Sequence, residues 1–382
     1  MSASNYQNNI NTLAPDIPAK MYNKAIDLFS IESTLYNEVS ISIYICGELR
    51  KLKIPYSIDS YGNIIVTKGN APYNCFCSHL DTVHIYNNGF NLYCYEQNNH
   101  KYFKARDNDK KTIGIGGDDK NGIFVCLYLL SVIEDIKVIF FSCEESGGTG
   151  SGNINLKIFD DCKFLGGVDR WNGHDFINKY GGNYTISKEF SKDIKPLLKK
   201  YDYSFNSGLF TDSFNVMERG INISCFNISC GYYMHHSNNE YIDLNELWNC
   251  CLLCAEICEL KSIYNHIVPI KHEKIVYNKW NYSDTWNYSG IDDNIPRCKI
   301  CDIELLPGEI ESGYCYNCQA EGISRRCEIC DTELTDNENR FCFDCLELWK
   351  NDLREYVDPY ELYELEELLL RKQEINIGSY EK

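Results

Sequence analysis

Five short stretches of this sequence carry residue types that bind metal or move protons. They are Ser78-His79-Leu80-Asp81-Thr82-Val83, Gly116-Gly117-Asp118-Asp119-Lys120-Asn121-Gly122, Cys143-Glu144-Glu145-Ser146-Gly147-Gly148, Gly167-Val168-Asp169 and His235-His236-Ser237-Asn238-Asn239-Glu240. In His79-x-Asp81 both side chains fall on one side of an extended segment, so the carboxylate can hold the imidazole in one tautomer while its other nitrogen binds metal. In Glu144-Glu145 successive side chains point opposite ways, which gives one carboxylate to a metal and leaves the other facing substrate as a general base. Taken singly, each stretch has a plainer reading. The glycine loop is then a turn before a helix N-cap, the glutamates a solvated acidic loop, Asp169 a cap, and His236 a packed surface histidine. Together, a His/Asp/Asp/Glu/His set is a complete nitrogen and oxygen donor set for two zinc ions, with Asp118 bridging and the rest split two and two. Such a centre suits metal-assisted hydrolysis.

The elements that must position these residues are readable from pattern. Helices are expected over 20–29 and 33–52, the second capped by Ser33 or Thr34. Residues 54–60 and 63–68 read as strands joined by Tyr61-Gly62, and 73–78 as a strand delivering His79 at its C-terminal end. The polar, aromatic stretch 84–112 offers one or two edge strands at most. After the Asp118 loop comes an apolar helical run, 123–133, and then Ile-Lys-Val-Ile-Phe-Phe-Ser-Cys over 136–143. That run reads as a strand covered on both faces, and it ends at the Glu pair. Residues 163–168 lead to Asp169, 187–200 form a helix, 221–228 a strand leading to His236, and 244–263 a helix. Strands alternating with helices predict a three-layer α/β/α sandwich around a mostly parallel mixed sheet, with the site beyond the carboxyl ends of the strands. Cys250, Cys251, Cys254 and Cys258 lie at helical spacing and read as small core residues.

At these positions the sequence resembles the di-zinc exopeptidase superfamily that includes peptidase T, carboxypeptidase G and the leucyl-type and deblocking aminopeptidases. The likeness covers about residues 20–262 and rests on the order of HxD with Thr-Val, GGDDKNG, Glu-Glu before Ser-Gly-Gly, a strand-terminal Asp and HSxNE. It implies that His79 and Asp169 complete one zinc site on Asp118, while Glu145 and His236 complete the other. It further implies that Asp81 orients His79, that Glu144 deprotonates the bridging water, and that the Asp118–Asp119 peptide is cis. His235 is the competing last ligand, but His236 matches the family histidine. Asp212 matches an Asp of the aminopeptidase branches that faces substrate or supports the site from behind. Relatives such as peptidase T carry a dimerisation lid between the ligands matching Asp169 and His236. Only 67 positions separate them here, too few for that insert, so a lidless monomer is expected.

Composition frames this reading. The 382 residues are 44% hydrophobic with a formal charge of -18, which argues against binding nucleic acid or anionic membranes. No signal-like N-terminus or spanning segment is evident, and 21 cysteines suit a reducing, cytoplasmic compartment. Four Cys-x-x-Cys pairs supply ligands for two structural zincs. They are Cys298 with Cys301, Cys315 with Cys318, Cys327 with Cys330, and Cys342 with Cys345. The pairs belong to an internal repeat, so sequential four-cysteine ribbons are favoured over a cross-braced module. From Cys298 to Lys382 there are 21 Asp and Glu against 9 Lys and Arg, a net charge of -12, which favours a protein partner or a purely structural role over nucleic acid. The predicted organisation is a catalytic domain over 1–270, an aromatic linker over 271–296, tandem zinc ribbons over 297–350 and an acidic amphipathic helical tail over 351–382. The expected activity is a zinc exopeptidase acting on short peptides. Rival readings are a deacylase of N-acyl amino acids and an inactive peptidase fold that serves as a scaffold.

Overall fold

A computed structural model of the chain describes residues 16–34 and 38–267. The chain divides into two units, Met1–Ile270 and Lys271–Lys382, and the described residues all belong to the first. The expected aromatic linker and acidic tail lie outside the described residues. So do all eight expected zinc-ribbon ligands: Cys298, Cys301, Cys315 and Cys318 of the first repeat, and Cys327, Cys330, Cys342 and Cys345 of the second.

Helices α1 (Ala19–Phe29) and α2 (Val39–Leu52) lead into an antiparallel pair, β1 (Tyr56–Ile58) and β2 (Ile64–Lys68), followed by β3 (Tyr73–His79). Next come β4 (Asn91–Gln97), β5 (His100–Arg106), β6 (Thr112–Ile113), α3 (Gly117–Val132), β7 (Ile136–Phe141), the short α4 (Thr149–Asn153) and β8 (Cys162–Arg170). The remainder is β9 (Asp175–Tyr180), β10 (Asn183–Tyr184), α5 (Lys188–Lys200), β11 (Ser204–Ser207), α6 (Asp212–Glu218), β12 (Cys225–Ser229), β13 (Tyr232–Tyr233), β14 (Tyr241–Asp243) and α7 (Leu244–Ile257).

The main sheet runs β1-β2-β7-β3-β8-β12-β9-β10, with β11 on β9. Its centre, β7-β3-β8-β12, is parallel, whereas β2 joins β7 and β9 joins β12 antiparallel. Central strands feed two cores by simple alternation. In β3, Phe76 packs with α1, α2, α3 and α7, while Cys75 and Cys77 point to the opposite layer with Phe214 and Met217 of α6. In β7, Val138 and Phe140 join the first core and Ile139 and Phe141 the second. Burial on both faces is why Ile136–Phe141 is almost wholly apolar. The fold is therefore the expected α/β/α sandwich with a mostly parallel mixed sheet. Cys250, Cys251, Cys254 and Cys258 are buried in the first core.

Several local expectations change. The second helix starts at Val39, not Ser33, because the Ser33 hydroxyl donates to the Leu80 carbonyl at 2.6 Å and ties its segment to the end of β3. The strand expected over 221–228 is Cys225–Ser229, and the last helix stops at Ile257. The stretch 84–112 holds more structure than its polarity suggests: β4, β5 and β6 form a second sheet with β13 and β14. The helix expected over 187–200 is Lys188–Lys200, with Ser187 as its N-cap, accepting from the Phe190 N–H at 3.0 Å. Among the described residues no helix is long and apolar enough to cross a membrane.

Candidate metal centre

Parallel strands place their carboxyl ends at one edge of the sheet, and the motif residues gather there. β3 ends at His79, β8 carries Asp169 near its end, and Glu144 and Glu145 follow β7. Asp118 and Asp119 sit at the start of α3, where their backbone departs from helical angles and their shared peptide is cis. His236 arrives from the turn between β13 and β14.

Asp118 lies at the centre of the cluster. Its Oδ1 is 3.1 Å from Nε2 of His79, and its Oδ2 is 3.2 Å from Nε2 of His236. His79 Nε2 is also 3.6 Å from Asp169 Oδ1, and His236 Nε2 is 2.9 Å from Glu145 Oε1. Ligand atoms of His79, Asp118 and Glu145 lie within 4.8 Å of one another, as do those of His79, Asp119 and Asp169. Either group can hold a metal ion. His235 points elsewhere, stacking on Trp171 with ring centroids 5.8 Å apart.

A layer of supporting contacts orients these groups. His79 Nδ1 lies 3.0 Å from the Asp81 carbonyl oxygen and 3.4 Å from Asp81 Oδ1. The Asp81 carboxylate accepts the backbone N–H groups of Glu144 and Glu145. Thr211 donates its hydroxyl to Asp169 Oδ2 at 2.9 Å, and Tyr232 donates to Asp169 Oδ1 at 3.2 Å. Asp119 accepts the His79 N–H at 3.2 Å and the Gly122 N–H at 2.9 Å, which makes it a brace for the His79 strand end. Asp212 is buried and its Oδ1 has no hydrogen-bond partner. The supporting roles of Thr211, Tyr232 and Asp119 carry no sequence signal beyond the adjacency of Asp119 to Asp118.

Crowding of carboxylates shapes the electrostatics. Burial, reinforced by neighbouring carboxylates, raises the pKa of Asp119, Glu144, Glu145 and Asp169, and lifts Asp212 to about 8. Burial alone would lower His79, but contacts with Asp118, Asp169 and Asp81 outweigh it and raise the imidazole well above its ordinary value. Hydrogen bonds to Asp118 and Glu145 lift His236 to about 10. Asp118 moves the other way: burial opposes its ionisation, yet the two imidazoles hold it well below the usual carboxylate range.

No family model matches this sequence, and no curated protein matches it. Solved structures do. Aminopeptidase PepT from Bacillus cereus ATCC 10987 superposes with a TM-score of 0.53 at 15% identity, covering 63% of this chain and 97% of that one. A tripeptidase from Staphylococcus aureus gives a TM-score of 0.51 at 14% identity, covering 63% of this chain and 97% of its own. With the strand order described above, these likenesses show that the described residues share the fold of these two peptidase structures.

Proposed function

We propose that this chain is a zinc-dependent exopeptidase that cleaves at the end of short peptides, an aminopeptidase or a di/tripeptidase. The observation that carries the proposal is the position of Asp118, whose two carboxylate oxygens face two different imidazoles, each with a further carboxylate beside it. A single carboxylate so placed suits a bridge between two cations.

The donor set also fits that occupancy electrostatically. Asp81, Asp118, Asp119, Asp169, Glu144 and Glu145 bring six carboxylates to two imidazoles, and charge buried in such excess is costly unless protons or metal ions match it. Burial makes the ionised forms of Glu144, Glu145 and Asp169 costly, while the raised pKa of His79, set by Asp118, Asp169 and Asp81 against its burial, marks a place where positive charge is favoured. Lys120 does not supply it, since its ammonium donates to the carbonyls of Ile31 and Ile115.

In this reading His79, Asp169 and Asp118 would hold the first zinc, and Glu145, His236 and Asp118 the second. Two zinc ions held there would supply acidification of a bound water toward a pKa of ~7 and polarisation of the amide carbonyl. Glu144 takes the proton of the attacking water on its carboxylate and delivers it to the leaving amine nitrogen. Asp81 fixes the backbone from which Glu144 and Glu145 project. Asp212 supports the site behind Asp169 or faces the substrate.

The same reading makes the enzyme a monomer, because the 67 positions from Asp169 to His236 are occupied by β9 to β13 with α5 and α6, leaving no inserted domain, and its 21 cysteines suit a reducing, cytoplasmic compartment. It assigns one structural zinc to Cys298, Cys301, Cys315 and Cys318 and another to Cys327, Cys330, Cys342 and Cys345. A protein partner, rather than nucleic acid or membrane, falls to the acidic C-terminal region.

The test is a panel of free and N-blocked di- and tripeptides and N-acyl amino acids, assayed with and without chelator. Cleavage of free peptides from one end, lost on chelation and restored by zinc, is the expected result. Turnover confined to N-acyl amino acids would transfer the site to a deacylase, and no turnover of any member would reduce it to a scaffold.

A further inference from the structure

Three of the loops that carry the proposed zinc ligands are joined by one side chain that is itself no ligand. Glu240 is fully buried, four residues beyond His236. Its Oε2 accepts the backbone N–H of Gly116 at 2.7 Å and of Ile115 at 3.1 Å, and its Oε1 accepts the N–H of Asp118 at 3.1 Å. A fourth contact comes from His84, whose Nε2 is 2.8 Å from Oε2. His84 stands five residues beyond His79 on the same chain segment. Glu240 thereby connects the His79 segment, the Asp118 loop and the His236 turn.

The backbone of the loop is shaped for this. Gly116 has a left-handed φ of 68°, which turns neighbouring N–H groups toward one point, as in anion-binding nests. An ionised carboxylate with about four lone-pair sites satisfies four donors, whereas a neutral amide in its place would present at least one donor to another donor. Leaving one such buried N–H without an acceptor costs about 1–3 kcal/mol. The His84 ring lies directly on Gly114, where an added Cβ would come within 2.0 Å of Cε1. Gly114 therefore leaves room for the imidazole that completes the set.

We propose that Glu240, with His84, is a positioning residue that holds the Asp118 carboxylate in register with His79 and His236, so that the two metal ions share it. The inference rests on the di-zinc reading of the site. Outer partners of metal ligands typically contribute 10- to 100-fold to metal affinity, and here one outer carboxylate acts on ligands of both ions together.

The experiment uses the full chain and the variants E240Q, H84A, G114A and G114A/H84A. Metal binding is read by cadmium NMR under chelator competition, which separates nitrogen/oxygen sites from thiolate sites, alongside kcat and KM for a cleaved peptide. E240Q is expected to weaken both nitrogen/oxygen sites by about 10- to 100-fold and to lower kcat more than KM, leaving the thiolate resonances unchanged. G114A, which displaces the His84 ring without touching Glu240, should weaken the same two sites, and G114A/H84A should bind no worse than H84A because the clash is gone. If E240Q does not fold, the Gly114 and His84 variants decide the matter. Wild-type affinity and kcat in H84A and G114A, or a loss confined to thermal stability, would overturn the proposal. Failure of the wild-type chain to bind two ions outside the thiolate sites would instead overturn the di-zinc reading itself.

Discussion

The carboxylate of Asp81 accepts the backbone N–H of Glu144 at 2.9 Å, joining two loops 63 residues apart in sequence. Its second oxygen accepts the N–H of Glu145 at 3.1 Å, and the group is fully buried. One side chain thus sets both the proposed base and the proposed ligand, while its own carbonyl oxygen lies against His79 Nδ1. In Asp81→Asn an amide NH2 must face one of those backbone donors, so the Glu pair shifts although the shape is conserved. A fall in kcat of about 10- to 100-fold is expected, equivalent to about 1.4–2.8 kcal/mol of barrier. Steady-state kinetics with metal analysis check this, and wild-type kcat in the variant would remove Asp81 from the machinery.

Glu144 and Glu145 are adjacent in sequence yet have different surroundings, since only Glu145 contacts His236. Glu144→Gln should retain both active-site zincs and lose about 10²- to 10⁴-fold in kcat, with a smaller change in KM. Loss of a zinc from this variant would make Glu144 a ligand, and near wild-type turnover would deny it the role of base.

The motif order was readable because the chemistry sits where apolar strands end. Ile136–Phe141 shows itself as a doubly covered strand, and its end marks Glu144 without any knowledge of partners. β4 and β5 were far less visible. Tyr93 and Tyr95 on one strand and Tyr102, Lys104 and Arg106 on the other form a stacked ladder, Tyr95 on Tyr102 at 5.1 Å, so aromatic and cationic residues alternate with others and blur the period-two signal. Ser33 looks like a cap by type, but tertiary contact with Leu80 outweighs local propensity. Glu240 stands in the HSxNE motif, but its role is not legible there: three of its four partners are backbone N–H groups, which leave no mark in a sequence.

A pH effect on stability is expected away from the metal centre, at His174. The Glu246 carboxylate, 3.7 Å from its Nε2, opposed by partial burial and assisted by Asp202, lifts the imidazole to about 9. The folded pKa lies above the unfolded value of ~6.5, so the contribution is fully present below ~6.5 and is lost as pH rises through about 9. The ring is 45% exposed, so solvent screening holds the effect under ~1 kcal/mol. The gap in thermal midpoint between the wild type and His174→Gln should therefore narrow from pH 6 to pH 10 and shrink in high salt. A gap that stays constant across that range would show that the ion pair with Glu246 contributes nothing.

Metal content separates the two halves of the proposal. The His79, Asp118, Asp169, Glu145 and His236 set offers nitrogen and oxygen donors, whereas the eight ribbon cysteines offer thiolates, and these classes differ in softness and proton competition. Four zinc ions per chain are expected, released in two populations under graded chelation, with activity following only one of them. A truncation ending near Pro296 should hold two zincs and keep its peptidase activity, since every proposed catalytic ligand precedes that point. Two zincs in the full chain together with none in the truncated one would mean that the carboxylate cluster is balanced by protons, and that only the cysteines bind metal.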